Sequence, residues 1–587
     1  MIINHIDEGI ATSKRIEGEV VRETISFNDF KPYFYATSYG VEYMNDQVNS
    51  MLWIKDKFGG VNVRILFEKT DAKSLEGEEL VKVTWTPSRP EYTRKVADFI
   101  GMQTIRGSFR IRTYEADVKY HYRYAVDEIE DMPEYKMRKM YWDMEWMQGG
   151  EHDGAITCIV AYDSYDKEYQ TYVWYPKAPI STDAEGKEVS SYENWESYLN
   201  CLWAENRINV FSSETLMLVD FLNYIQDKDP DMLISWFGWK FDLPKLLERM
   251  VLKGIDARLL SPFQEVSGIG WKDMSPTINR RKVENFSPIY QPIKGRICFP
   301  LDLAFERQWN DAQRGTLPSM ALDYVAETIL GEKKLVSDKF PDKNEFFARA
   351  WQEDEERYLH YAWKDVELLV KIDESNHVSE SVLALQRLLK APFDACFYAS
   401  NMGSIYFMRH ADWKAPTGEK GERVSYDGAM VYDPLSEGTN GLHHNVAAFD
   451  FAQLYPSMII ARNISWETIS KTPTELCVNI KTPKDFSPVT EVDMRYFRTD
   501  KVGLLPKAVM NLRTLRQEYK ENMKKYPEDY VMWNNNQMAV KRLMASFYGI
   551  IAYQGFGWAN VDLAASITAS AREAIREAAR LAKEMNQ

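Results

Sequence analysis

The chain has no CxxC pair, no long apolar run, no internal repeat and no excess of positive charge. Each absence removes a class of protein. Its five cysteines (Cys158, Cys201, Cys298, Cys396 and Cys477) are scattered, which excludes a disulfide framework and a zinc ribbon and suits a reducing compartment. No apolar stretch approaches the roughly 18–20 residues that span a bilayer. The opening residues carry acids and lack an apolar h-region, so no signal peptide is expected. The net charge of −15 argues against indiscriminate nucleic-acid binding, which goes with a basic balance. It leaves room for clustered carboxylates that hold metal ions beside local patches of Lys and Arg. Without repeats or low-complexity linkers, 587 residues require several globular domains, because one core seldom serves beyond about 250–300 residues.

What is present is aromatic: 17 Trp and 34 Tyr imply large ring-filled cores. Residues 1–115 alternate apolar and polar positions, as in Val61–Phe67, and predict a strand-rich N-terminal domain. From about 136 the pattern becomes strand, strand and helix. Strands are predicted at Met140–Trp146, Ala155–Tyr162, Gln170–Tyr175, Met232–Trp236 and Ile297–Leu303, with helices at Glu214–Gln226 and Glu353–Ile372. That succession predicts an α/β layer with a mixed sheet. Later come a strand over Asn445–Phe451 and helices over Lys507–Lys525 and Val531–Phe547, joined by a turn at Tyr526-Pro527. A final amphipathic helix covers Val561–Gln587.

Three acidic segments stand out. In Tyr141-Trp142-Asp143-Met144-Glu145-Trp146 the acids fall at i and i+2 of a strand, so both carboxylates share one face. Two acids on so apolar a strand need compensation, which divalent cations supply. Taken alone, the pair is explained by an edge strand facing water. Asp242, in Trp236-Phe237-Gly238-Trp239-Lys240-Phe241-Asp242, falls after a strand at a helix start, where a capping Asp is the plain explanation. Tyr361 and Asp365 lie one turn apart on a helix, a spacing that surface contacts also produce.

In this order the three segments resemble the exonuclease motifs of the DnaQ-like proofreading domain. The resemblance implies that Asp143, Glu145, Asp242 and Asp365 bind two Mg²⁺ (or Mn²⁺) ions and that Tyr361 orients the attacking water. It also marks a departure: Phe237 stands where that family has Asn.

The run Ala447-Ala448-Phe449-Asp450-Phe451-Ala452-Gln453-Leu454-Tyr455-Pro456-Ser457 resembles the first metal-binding motif of the B-family DNA polymerases. Asn463-Ile464-Ser465-Trp466-Glu467-Thr468-Ile469 resembles their T-even-like phage branch in particular. By this resemblance Asp450 binds the metal pair of a second site, Leu454 and Tyr455 contact the incoming nucleotide, and Tyr455 excludes a 2′-hydroxyl. Arg516, Lys520 and Lys541 grip the triphosphate, for which Arg forks and Lys point charges are suited. Tyr548 and Gly549 pack near the nascent base pair, and Tyr426 and Gly428 track the template. Solvated amphipathic helices explain the fingers cations equally well without the upstream motif. Ala545 stands where the family motif has Asn.

The fold class implied is a multidomain α/β protein. Its expected parts are an N-terminal domain (1–135), an RNase H-like exonuclease domain (136–375), a segment returning to the N-terminal domain (376–421), the first part of a palm (422–506), helical fingers (507–553) and the start of a second palm segment (554–587). After Gly549 nothing resembles the Asp-Thr-Asp motif of the other palm carboxylates, and no thumb is expected. The expectation is therefore the large subunit of a split, template-directed DNA polymerase with its own 3′–5′ exonuclease. A second chain would supply the missing carboxylates and dock on apolar positions of the last helix, such as Ile567, Ile575, Ala579 and Leu581. Primer–template DNA and deoxynucleoside triphosphates are the implied substrates. A sliding clamp and a single-stranded DNA-binding protein are further implied partners, no membrane is involved, and the compartment is cytoplasmic (the host's, for a phage protein). The alternatives are a stand-alone exonuclease with a vestigial polymerase portion, and a non-catalytic DNA-binding scaffold, for which the acids would have no use.

Overall fold

The structure is a computed structural model. It describes residues 1–585 apart from 39–57, 103, 106–108, 183–185, 204, 288–290, 311–314, 335–338, 341–342, 419–424, 431–440, 448–449, 482–492 and 554. The described chain divides into two compact units. The first holds Met1–Ser26, Asp131–Arg387 and Pro392–Asp394; the second holds Phe27–Glu130, Leu388–Ala391 and Ala395–Gln587.

The first unit is organised by a six-stranded mixed sheet. Its strands are β1 (Lys139–Trp146), β2 (Ile156–Asp163), β3 (Glu168–Trp174), β4 (Asn206–Phe211), β5 (Met232–Ser235) and β6 (Ile297–Pro300), in the order β4-β3-β2-β1-β5-β6. Antiparallel hairpins join β1, β2 and β3, whereas β5 runs parallel to β1 and β6 parallel to β5. The parallel pairs need crossovers, and α1 (Glu214–Lys228) and α2 (Asp242–Leu252) flank β5 in the chain. Strand β1 is central in the sheet and covered on both faces, since the consecutive Met140, Tyr141 and Trp142, and Met144, are all core residues. Asp143 and Glu145 interrupt that apolar run.

Three further helices complete the frame: α3 (Leu301–Trp309), α4 (Leu322–Leu330) and α5 (Glu355–Asn376). The run Ile297–Leu303 does not continue as a strand. It turns at Pro300, which lacks the N–H a longer ladder needs, and becomes α3 at Leu301. Helix α5 lies against β1 and β2. There the Tyr358 hydroxyl and Thr157 Oγ1 are 2.7 Å apart, and Thr157 Oγ1 donates to the Glu145 carbonyl at 3.1 Å. Residues 2–26 form a separate three-stranded meander, Ile2–Ile6, Gly9–Ile16 and Glu19–Ser26, in the same unit.

The second unit opens with a four-stranded antiparallel sheet of Arg64–Lys73, Glu79–Thr86, Phe34–Thr37 and Thr113–Tyr114. Phe34, Ile65, Val83 and Trp85 pack there against Val96 and Phe99 of helix Thr93–Gly101. Its later part is helical: α6 (Ala399–His410), α7 (Leu454–Ala461), α8 (Leu504–Lys525), α9 (Tyr530–Ala552) and α10 (Val561–Met585). Helices α8 and α9 pair through the short turn Pro527–Asp529, and α9 also packs on α6. Beneath them Phe407, Trp413 and Trp466 gather round Trp558, with ring centroids 4.8–5.4 Å from it.

Two expectations fail in this unit. No strand covers the described residues of 445–451. Those at 445–447 and 450–451 are irregular and exposed, because no neighbouring strand among the described residues supplies ladder partners; Ala448 and Phe449 lie outside the described set. The last helix does form, but Ile567 is not free to dock a partner. It is fully buried, since Leu563–Arg572 is the inner half of α10, packed on α7 and α9. Leu581, further along, is 45 % exposed.

Candidate functional site

The acids of the first unit meet at the end of β1. Alternation holds Asp143 and Glu145 on one face, opposite Val160 and Cys158 of β2, and a bulge follows between Glu145 and Trp146. The i,i+4 spacing on α5 brings Tyr361 and Asp365 to the same place. One ligand atom each from Asp143, Glu145 and Asp365 lies within 4.8 Å of the others. Asp242, in the first turn of α2, lines the same cleft of about 280 Å³ together with Tyr361, Trp146, Phe237 and Phe241. All five residues expected at a nuclease site therefore share one cleft.

The loop that delivers Asp242 is tightly built. Phe237 adopts a left-handed φ of 56°, and its N–H donates to Asp302 Oδ1 at 3.2 Å, while Trp239 Nε1 reaches Asp302 Oδ2 at 3.4 Å. Asp302 is buried at the start of α3, and burial holds its carboxyl above the usual range. A Cβ on Gly238 would lie 2.1 Å from Ser235 Oγ and 3.1 Å from Asp242 Oδ2, so only glycine lets the loop close over the end of β5.

The electrostatics follow from crowding like charges in an apolar pocket. Burial, and then the charge of Asp365, pushes Asp143 up to about 7. Burial raises Glu145 well above its ordinary value, with Asp143 and Asp365 adding to the shift. Asp242 rises well above the carboxylate range for the same reasons, burial first and then Asp143. One cation opposes them. Lys334, which follows α4, is ion-paired to Asp365 and donates to the Tyr361 hydroxyl at 3.4 Å. Burial disfavours its ammonium, but the charges of Asp365, Tyr361 and Asp143 outweigh that and raise its pKa. No motif marks Lys334 in the sequence. Its only signal is a basic pair, Lys333-Lys334, beside a helix end. Carboxylates this close, and this reluctant to ionise without a counter-charge, are the donor set a divalent cation requires.

In the second unit Asp450 is exposed. Among the described residues it joins no group of three metal-ligating side chains. Leu454 and Tyr455 open α7, and the Tyr455 ring lies 5.0 Å from that of Tyr548 on α9. The Tyr548 and Tyr426 hydroxyls are 2.8 Å apart. Two side chains of α10, one turn apart, hold the backbone after Tyr426. Thr568 Oγ1 donates to the Asp427 carbonyl at 2.7 Å, and Arg572 Nη1 to the Asp427 and Gly428 carbonyls at 2.6 and 2.7 Å. Neither Thr568 nor Arg572 was anticipated from the sequence.

On the paired helices Arg516 Nε donates to Gln537 Oε1 at 3.1 Å. Lys520 is lowered first by the charge of Arg516, then by burial and by Lys541, so these three cations lie within electrostatic reach of one another. A Cβ on Gly549 would meet that of Ala399 at 3.1 Å, so close helix packing accounts for this glycine. The stretch Asn463–Ile469 anchors the start of α8. Asn463 Nδ2 donates to the Arg498 and Lys501 carbonyls at 2.7 and 2.8 Å, Gly503 N donates to Asn463 Oδ1 at 3.0 Å, and Leu505 N donates to Ser465 Oγ at 3.1 Å.

Residues 154–287 match the profile of "DNA polymerase family B, exonuclease domain", and residues 397–587 match "DNA polymerase family B". The two matched stretches are thus similar to the family B DNA polymerases, the earlier one to their exonuclease domain. Asp143 and Glu145 lie before the exonuclease match, and Tyr361 and Asp365 after it. A DNA polymerase of Pyrococcus glycovorans is 26% identical over 566 residues, covering 93% of this chain and 63% of the relative. DNA polymerase 1 of Pyrococcus abyssi is 30% identical over 383 residues, covering 63% of this chain and 44% of the relative. The chain therefore spans less than two thirds of the length of these curated relatives. The fold is similar to that of the family B DNA polymerase from the hyperthermophilic archaeon Pyrobaculum calidifontis, with a TM-score of 0.67, 19% identity, and coverage of 99% of this chain and 71% of that one.

Proposed function

We propose that this chain is the exonuclease-bearing part of a template-directed DNA polymerase and that its first unit excises nucleotides from DNA 3′ ends. The observation that carries the reading is the meeting of Asp143, Glu145 and Asp365 within 4.8 Å, with Asp242 in the same cleft, in a chain that matches the family's exonuclease domain. On this reading the four carboxylates hold two divalent ions, which supply Lewis-acid stabilisation of charge at the scissile phosphate. Tyr361 orients the attacking water, and Lys334 holds Asp365 and the Tyr361 hydroxyl in place. Phe237 and Phe241 give the cleft an aromatic wall on which an unpaired terminal base stacks.

For synthesis, Asp450 supplies one metal carboxylate, Leu454 and Tyr455 meet the nucleotide sugar, and Arg516, Lys520 and Lys541 hold the triphosphate. Tyr548 and the Tyr426–Gly428 loop support the primer–template. The second metal carboxylate comes from outside these residues. On this reading it belongs to an Asp-Thr-Asp motif that completes the metal site beside Asp450. The T-even-like branch, and with it a host cytoplasm and phage clamp and single-strand-binding partners, rests on Asn463–Ile469.

The test is primer extension with this chain alone, Mg²⁺ and all four deoxynucleoside triphosphates on a primed template. Shortening without extension is the expected result. Extension by these residues alone overturns the reading that a further carboxylate must complete the site at Asp450, and an unchanged primer overturns the nuclease reading in favour of a scaffold.

A further inference from the structure

Arg542 follows Lys541 on α9 and has no use in the chemistry described so far. It is partly buried, between Ala539 on the preceding turn and Ser546 on the following one, both of them core residues. Its Nη2 is sealed from solvent without an acceptor, and among the described residues no hydrogen bond or ion pair reaches the guanidinium. Burial alone lowers its pKa to about 10, with no carboxylate acting on it. Three other arginines of this region have partners: Arg516 has Gln537, Arg572 two carbonyls and Arg462 Glu573.

A guanidinium withdrawn from water costs folding free energy unless an anion meets it, and among the described residues none does. Its neighbour in the chain, Lys541, belongs to a cation cluster, since Lys541, Arg516 and Lys524 all act on Lys520. Cations held together against their own repulsion suit a polyanion, and Arg542 follows one of them directly on α9. The planar fork of Arg matches the oxygens of a phosphate in paired hydrogen bonds.

We propose that Arg542 is a phosphate-binding residue, its guanidinium taking a phosphate group of the nucleic-acid substrate as the partner the protein withholds. The assignment rests on the polymerase reading of the second unit and adds to it a contact that the expected triphosphate set of Arg516, Lys520 and Lys541 does not include. Two sources share this chemistry: a phosphodiester of bound primer–template, and the triphosphate of an incoming nucleotide.

The experiment uses the full chain in EDTA, so that the primer stays intact. Arg542→Met is compared with Arg542→Lys, Lys541→Ala and the parent. Fluorescence anisotropy of a labelled primer–template is followed across a salt series, with inorganic tripolyphosphate as competitor in a second arm. If the partner is a phosphodiester, Arg542→Met weakens DNA binding several-fold and reduces the slope of log K against log salt by about 0.9. Arg542→Lys restores the slope, because it keeps the charge, but not the full affinity. If the partner is the triphosphate, Arg542→Met weakens tripolyphosphate competition and leaves the DNA slope unchanged. In both cases the melting temperature of Arg542→Met is equal to or above that of the parent, since an unpaired buried charge has been removed.

Unchanged binding in both arms by a folded Arg542→Met overturns the proposal, and so does a lowered melting temperature that Arg542→Lys fails to restore. Lys541→Ala separates the two levels of the argument. If it weakens binding where Arg542→Met does not, only the Arg542 assignment fails; if neither substitution has an effect, the polymerase reading of this surface fails as well.

Discussion

Lys334 is ion-paired to Asp365, a carboxylate expected at a metal site, and the same ammonium reaches the Tyr361 hydroxyl at 3.4 Å. One cation thereby fixes two groups that sit a helical turn apart on α5. Lys334→Met should lower the single-turnover excision rate about 10–100-fold, the range found when outer partners of metal ligands are removed. Duplex binding at the second unit should be unchanged. A rate within twofold of the parent would show that the contact is only structural.

Asp143→Asn combined with Glu145→Gln should abolish excision. Loss of metal-borne charge stabilisation worth several kcal/mol corresponds to at least about 10²–10³ in rate. Quenched-flow digestion of a single-stranded oligonucleotide reads this directly. DNA binding in EDTA should survive, which separates lost chemistry from lost folding.

Gly238→Ala should displace Asp242. The new methyl has Ser235 Oγ 2.1 Å away, and overpacking of this kind costs about 1–3 kcal/mol. Chemical denaturation should show that loss together with reduced excision. Ser235→Ala in the same chain should recover part of the stability by making room.

Arg572→Ala should cost about 1.5–3 kcal/mol, because two carbonyls lose a charged donor. The Tyr426 hydroxyl would then no longer be held at Tyr548. Hydrogen exchange at Tyr426–Gly428 should accelerate, whereas the first unit should exchange as before.

The acid cluster also sets a pH dependence. The folded-state value of Asp143, about 7, lies above the unfolded value of about 3.9, and Glu145 and Asp242 shift in the same direction. Between those values the folded state holds more protons than the unfolded state. Stability of the metal-free protein therefore falls as pH rises from about 4 towards 7. Thermal melts in EDTA of the parent and of Asp143→Asn should converge at low pH and separate above neutrality, with the Asn variant the more stable. Mg²⁺ should close the gap.

Local periods paired some of the expected site residues, and only the family resemblance joined those pairs to each other and to Asp242. Alternation on a strand places Asp143 and Glu145 together, and a helical turn joins Tyr361 to Asp365. Lys334 and Asp302 were not legible, because what gives them a role is the closing of distant segments onto the cleft, and no local spacing encodes that. The apolar run Ile297–Leu303 reads as one strand, yet Pro300 divides it into strand and helix. The outward stripe expected of α10 failed at Ile567 because periodicity shows that a face is apolar without showing what covers it. Asn463–Ile469 carried family likeness, but its side chains anchor the start of α8, a role that only the folded backbone displays.

The crowding of Asp143, Glu145 and Asp242 has a calorimetric consequence. Near neutral pH the metal-free form of the cleft holds protons that an entering cation must displace. Titrating Mg²⁺ into the protein should therefore acidify an unbuffered solution. The heat of binding should differ between Tris and PIPES by the buffers' own ionisation enthalpies multiplied by the number of protons released. Well above the pH at which those protons leave, the heat of binding should no longer depend on the buffer.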